Sequence, residues 1–146
     1  MSYLAVIHGS HGVFWYRYAG YRGTENAAHG YSDEQWKNLS TVTLEFRALY
    51  DMYCTPPVEQ TQTAVVLDGP QRDGLGFASL NTLLKKHDGK MFLITCNSAY
   101  EKVKARFELP GVKSVREYFE KRELTVKDTA FEDSFTPYGV HVYVME

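Results

Sequence analysis

The sequence has little of what usually marks a protein for one particular chemistry. Its 146 residues include two cysteines, Cys54 and Cys96, which form neither a CxxC nor a Cys/His pattern. Neither a zinc site nor a disulfide framework is therefore indicated, and no cofactor is expected. No apolar run approaches the length of a membrane span, and the first residues lack a basic leader and a cleavage site. The sequence predicts a soluble, unexported protein of the reducing cytoplasm with no membrane partner.

Strong charge of one sign is also missing. The formal net charge is -2. Because the chain has no excess of positive charge that would attract nucleic acid, DNA and RNA are not expected as partners. Aromatic residues, in contrast, are abundant: eleven Tyr, eight Phe and two Trp. Such rings bury large areas, stack on sugar faces or fill interfaces, and burial is the commonest of these uses.

The chain divides near Thr55, Pro56 and Pro57, because two prolines end any helix and stiffen the connection. Residues 1–57 have a helical pattern with one strand, whereas strands dominate residues 58–146. Residues 2–8 are predicted to form a short helix. Residues 11–18 alternate with bulky side chains on both faces, which predicts a strand that must be covered on both sides.

A longer helix is predicted over residues 33–52. Ser32 and Gln35 have the spacing of a capping box, in which each side chain satisfies a free backbone amide. Apolar residues then recur at steps of three and four, which predicts a buried stripe. The stripe consists of Trp36, Leu39, Val42, Phe46, Leu49 and Tyr53.

Beyond the prolines, short alternating runs are separated by turn signals, among them Asp88-Gly89, a strong signal for a two-residue hairpin. This rhythm predicts two packed antiparallel sheets. The predicted strands cover residues 64–67, 78–87, 91–97, 103–109, 114–118, 123–126 and 140–145.

Three segments of this region resemble the accessory β-sandwich that follows the (β/α)8 barrel in many glycoside hydrolases. They read MFLITCN over residues 91–97, VKARFELPG over 103–111 and FEDSFTPYGVHVY over 131–143. The N-terminal segments YLAVIH (3–8), GVFWYRY (12–18) and QWKNLSTVTLEFRAL (35–49) resemble the seventh helix, eighth strand and eighth helix of such a barrel. The resemblance covers nearly the whole chain in the family's order. It implies a mainly β, α+β fold, in which a barrel remnant (1–57) docks through its long helix onto a β-sandwich (58–146).

The resemblance also implies a function. Glycoside hydrolysis needs two carboxyl groups, which such barrels carry on the fourth and seventh strands; these strands would precede Met1. The expected function is therefore a non-catalytic module that binds carbohydrate or supports a partner. Trp15 resembles the aromatic platform at the end of the eighth strand, and a role in the core or an interface is the alternative for it. The expected sugar-stacking residues are Trp15, Tyr16, Tyr18 and Tyr21, with Arg17 donating hydrogen bonds to hydroxyls.

Two other functions stay open. Self-association, or a second chain, would complete a hydrolytic cleft, with Glu25 as the candidate acid. Alternatively, the chain is an assembly element that forms a homo-oligomer through its N-terminal strand region. His8 and His11 lack an acidic partner at ligand spacing, so a polar turn is preferred to a metal site. Glu132 and Asp133 are expected in solvent, since adjacent acids in a strand point to opposite faces.

Overall fold

The computed structural model describes residues 1–15, 33–59 and 63–146. The helices all come before Pro56, and the strands all follow Pro57, in the described part of the chain. The helices are α1 (Ser2–Ile7), α2 (Asp33–Ala48) and α3 (Tyr50–Cys54). The strands are β1 (Thr63–Asp68), β2 (Leu80–His87), β3 (Lys90–Asn97), β4 (Val103–Glu108), β5 (Val115–Glu117), β6 (Glu123–Leu124), β7 (Ala130–Phe135) and β8 (Val140–Met145).

The strands form two antiparallel sheets, which confirms the mainly β, α+β fold. One sheet has the order β1-β4-β7 and the other the order β2-β3-β8-β5-β6. The predicted hairpin joins β2 to β3, with His87 opposite Lys90. Asp88 and Gly89 have φ values of 47° and 77°, and the turn that matches the twist of a two-residue hairpin requires positive φ at both central positions.

Strand β7 was not predicted from the sequence as a separate strand. Its inward residues Phe131 and Phe135 are buried, but the intervening position is Asp133, flanked by the exposed Glu132 and Ser134. Three consecutive polar residues hide the alternation that marks a strand with one apolar face.

The five-stranded sheet is covered on both faces. Leu93 and Tyr143 belong to the core between the two sheets, together with Phe107 and Phe131. The neighbouring residue Ile94 instead belongs to a second core, which the sheet shares with the helices. Burial on both faces explains why the centre of β3 is a continuous apolar run rather than an alternating one. The helices, the five-stranded sheet and the three-stranded sheet thus form three layers.

The second core is built from all three helices. Tyr3 and Ile7 come from α1, and Met52 comes from α3. Val42 and Phe46 of α2 pack against this cluster while staying partly exposed. The three described helices are therefore packed on the outer face of the five-stranded sheet.

The predicted helix over residues 33–52 begins at Asp33 as expected but is interrupted. Helix α2 ends at Ala48, and Leu49 has a φ of -115°, far from the helical value of about -63°. A second short helix then carries Met52 into the core. The prediction of a fully buried stripe was also wrong, because Trp36 near the start of α2 keeps 51% of its surface exposed. The capping residue Ser32 lies outside the described residues.

The predicted strand over residues 11–18 is not confirmed for residues 11–15, which form no strand. The other residues of that stretch lie outside the described part. None of the described helices combines the length and the apolar character needed to cross a bilayer.

Candidate functional site

Trp15 is half-buried against the helices. Its indole Nε1–H donates a hydrogen bond to Ser2 Oγ at 3.0 Å, and its ring stacks on Phe46 with a centroid distance of 6.5 Å and an interplanar angle of 25°. Phe46 in turn contacts Tyr3 and Tyr53 edge-to-face, at 4.8 Å and 5.3 Å. One face of the indole therefore belongs to the helical packing.

The same packing fixes a buried tyrosine. The Tyr3 hydroxyl donates to Glu45 Oε2 at 2.7 Å. Burial of the ring, together with Tyr53 and Glu45 nearby, raises the pKa of Tyr3 far above its ordinary value. Tyr3 therefore stays a neutral hydrogen-bond donor, and Glu45 is held by a structural contact.

A groove of about 560 Å³ borders Trp15 on the side of α2. We refer to it as the α2 groove; its lining residues are Trp15, Trp36, Leu39, Ser40, Thr43 and Leu44. Ser40 Oγ and Thr43 Oγ1 donate to main-chain carbonyls of the preceding turn, each at 2.9 Å. Because these protons are used inside the helix, the two hydroxyl oxygens remain as acceptors. The groove thus combines two indoles with a few polar atoms, the usual composition of a small-molecule site.

Trp36 is the groove residue that sequence reasoning missed. Its spacing assigned it to the buried stripe of the helix, although its position in the first turn, far from Leu49 and Met52, was the available signal of exposure. Of the other expected sugar-binding residues, Tyr16, Arg17, Tyr18 and Tyr21 lie outside the described residues, as does Glu25. Of the expected sugar-binding residues, only Trp15 therefore lies in the described part of the chain.

The expectation that Asp133 lies in solvent was wrong. Its side chain keeps 9% exposure and lies between the sheets, because the inward positions of β7 alternate through Phe131, Asp133 and Phe135. Oδ2 accepts hydrogen bonds from Arg122 Nη2 and the Tyr143 hydroxyl, each at 2.8 Å. Glu132, on the other face, pairs with Lys104 at 2.8 Å and is exposed, as expected.

These contacts define what we call the Asp133 cluster: Asp133, Arg122, His141 and Tyr143. His141 Nδ1 lies 3.0 Å from both Asp133 Oδ2 and the Tyr143 hydroxyl. Burial by itself would raise the pKa of Asp133, but hydrogen bonds from His141, Arg122 and Tyr143 outweigh it and hold the pKa well below its usual range. The cluster ties β7 to β8 across the sandwich, and its carboxylate is saturated with donors.

The imidazole of His8 forms a hydrogen bond within the fold. Its Nε2 lies 3.0 Å from Asn81 Oδ1, which supports the polar-turn interpretation of this segment. Within the described residues, no three His, Cys, Asp or Glu side chains are grouped so that they could hold a metal ion.

A scan against protein-family models finds no match for this chain, and a search of curated proteins finds none either. Solved structures do match. An α-amylase from Anoxybacillus superposes on 78% of this chain with a TM-score of 0.50 and 13% identity. An α-amylase from Geobacillus thermoleovorans, complexed with acarbose, superposes on 79% with a TM-score of 0.53 and 12% identity. AmyP, in complex with maltose, superposes on 79% with a TM-score of 0.55 and 7% identity.

The match spans only 22–23% of the length of each of these three proteins. At such low identity the similarity concerns the fold. The chain therefore shares its fold with a segment that makes up less than a quarter of each of these proteins. This agrees with the resemblance of its sequence to the C-terminal part of a (β/α)8-barrel glycoside hydrolase.

Proposed function

We propose that this chain is a non-catalytic accessory module of the glycoside-hydrolase type, and that it binds carbohydrate in the α2 groove. The observation that carries the proposal is the pairing of Trp15 and Trp36 along one groove of about 560 Å³. An indole face packs well against the apolar C–H groups of a sugar ring. Trp15 is held in place by Phe46 and Ser2, so its ring is already ordered before a ligand arrives, which lowers the entropic cost of binding.

The state of the carboxylates supports a non-catalytic role. A glycosidase needs two carboxyl groups that face the scissile bond and are available to it. In the described residues, four carboxylates are at least partly buried: Glu45, Asp73, Glu117 and Asp133. Each accepts hydrogen bonds within the fold, from a tyrosine, from backbone amides or from the Asp133 cluster. These acids stabilise the fold through contacts that a catalytic role would have to break.

Trp36→Ala is the variant that tests the proposal, since Trp36 is half-exposed, whereas Trp15 supports the helical packing. Loss of the indole should weaken the binding of oligosaccharides by roughly tenfold or more, because truncated Trp anchors cost this much at binding sites. Isothermal titration with a panel of neutral oligosaccharides measures the change. Tyr50→Ala removes an exposed ring from α3 and is the matched control, expected to bind like the unaltered protein.

An assay of glycoside hydrolysis tests whether the protein is non-catalytic. Chromogenic glycosides should not be hydrolysed, whatever the protein concentration. If they are, and if Glu25→Gln abolishes the reaction, the enzymatic alternative with a cleft completed by a second copy or another chain is correct. If no saccharide binds, the carbohydrate part of the proposal is wrong.

A second candidate function is self-assembly through the N-terminal region. Phe14 is 88% exposed, and Leu44 of the α2 groove is exposed too. Exposed apolar surface of this kind marks interfaces between proteins. Light scattering would reveal a stable oligomer, and Leu44→Glu should dissociate it if the groove is the interface. A monomer at micromolar concentration would exclude this function.

A further inference from the structure

We propose that one end of the sandwich carries a second carbohydrate-binding site, formed by residues other than those of the α2 groove. Its platform is the pair Tyr100 and Tyr138, which lie in the loops from β3 to β4 and from β7 to β8. The expected ligand is a neutral oligosaccharide. The site is argued from its own geometry, and the proposal does not depend on the α2 groove.

The two rings are exposed and arranged as a corner. Tyr100 keeps 80% of its surface exposed and Tyr138 keeps 60%, yet their centroids lie only 6.1 Å apart with an interplanar angle of 70°. In an edge-to-face pair, one ring keeps both faces open and the other keeps one. The corner therefore offers ring faces in two orientations to the C–H groups of a sugar.

The backbone of Tyr138 is in a conformation that its residue type disfavours. Gly139 N donates to Thr136 O at 2.9 Å, which closes a four-residue turn, and Tyr138 in its third position has a φ of 57°. Gly or Asn ordinarily occupies such a position, since a larger side chain is sterically strained there. A ring that is exposed contributes little to the core, so packing does not account for Tyr here. Strain of this kind concentrates at functional sites.

A buried amide fixes the two tyrosine loops together. Asn97, at the end of β3, is fully buried. Its Nδ2 donates to Glu101 O at 2.8 Å and to Thr136 O at 3.0 Å, so one side chain holds the loop of each tyrosine. Tyr138 N also donates to Ala99 O at 3.2 Å. The platform is therefore preorganised, which reduces the cost of ordering it on binding.

The polar groups beside the rings suit a neutral sugar. Each phenol hydroxyl supplies a donor and an acceptor. Glu101 and Lys102 follow Tyr100 and are exposed, so one acid and one base flank the platform without a net charge. A second copy of the chain is a poorer occupant, because two rings make up a small part of the roughly 800 Å² that each partner buries in a stable interface.

Two substitutions remove the rings, and one of them also relieves the backbone strain at position 138. Tyr138→Asn suits the left-handed conformation, so this variant should melt at the same temperature as the unaltered protein or higher. Tyr100→Ala removes the partner ring. Both should weaken the binding of maltohexaose, cellohexaose or xylohexaose at this site by roughly tenfold in isothermal titration. Tyr50→Ala, which removes an exposed ring elsewhere, should not change it.

The measurement is repeated in protein carrying Trp36→Ala, so that the two sites are separated. Binding that survives Trp36→Ala and weakens roughly tenfold when Tyr100→Ala or Tyr138→Asn is added supports the platform, even if the α2 groove proves not to bind sugar. The platform is wrong if both tyrosine variants bind all three hexasaccharides like the unaltered protein, or if none of the three binds. It is also wrong if the tyrosine variants instead dissociate an oligomer in light scattering.

Discussion

Replacing Asp133 by Asn is expected to lower the free energy of unfolding by about 3 kcal/mol. Asp133 accepts two hydrogen bonds from Arg122, at 2.8 Å and 3.0 Å, and one from the Tyr143 hydroxyl at 2.8 Å. In the Asn variant, an NH2 group faces at least one of these donors. Breaking a buried ion pair costs about 3–5 kcal/mol, and the lower end applies because the Arg122 side chain is 40% exposed and can be hydrated again.

The effect depends on pH with a definite sign. The folded protein holds the pKa of Asp133 below its ordinary value through hydrogen bonds that outweigh the effect of burial. The stabilisation is therefore fully present above the pKa of the unfolded carboxyl, about 3.9, and is lost as the pH falls from there through the folded pKa. The difference in stability between the unaltered protein and Asp133→Asn should shrink as the pH falls below about 4.

Urea denaturation followed by circular dichroism measures both effects, and thermal scans should show a drop of roughly 10 °C. Glu132→Gln is the matched control, because Glu132 is the preceding residue of the same strand and pairs with Lys104 on the solvent side. This variant should leave the unfolding midpoint almost unchanged. Equal effects of the two substitutions at neutral pH, or an Asp133→Asn deficit that is as large at pH 2 as at pH 5, would refute the reasoning.

Three further predictions concern the core, the turns and the thiols. Phe107→Ala should cost about 3–5 kcal/mol in urea denaturation, because this fully buried ring packs on three other aromatic rings; a cost below 1 kcal/mol would contradict the assigned core. Gly69→Ala should be less stable than Gly76→Ala by roughly 1–3 kcal/mol. Both glycines have positive φ, but of the two only Gly69 would bring a Cβ against a main-chain carbonyl oxygen, that of Lys102. Equal melting temperatures of the two variants would argue against that contact. In native protein, a thiol reagent should label Cys54, which is exposed, and spare Cys96, whose pKa burial raises to about 11; rapid labelling of both would show that β3 opens easily.

Much of the sandwich could be predicted because its signals are local. Alternation over six to eight residues identifies strands such as β4, and the Asp88-Gly89 pair fixes a hairpin by its own backbone preference. Strand β7 was missed because an acid occupies an inward position, which sequence rules assign to solvent.

The candidate sites were less accessible from the sequence. Trp15 was identified by resemblance, whereas Trp36 was assigned to the core by its helical spacing. The Tyr100–Tyr138 pair carried no sequence signal, since the two residues are 38 positions apart by their numbers and only their loops bring them together. Whether a ring faces solvent depends on which other segments cover it, and no short window of sequence contains that information.

The sequence by itself determined most strand positions after the paired prolines and the hairpin at Asp88-Gly89. These follow from backbone preferences and from patterns of neighbouring residues. Tertiary structure alone decided that Asp133 is buried, that the long helix is interrupted at Leu49 and that Trp36 borders a groove. Each of these depends on contacts between segments far apart in the chain, where long-range packing and hydrogen bonding override the local preference.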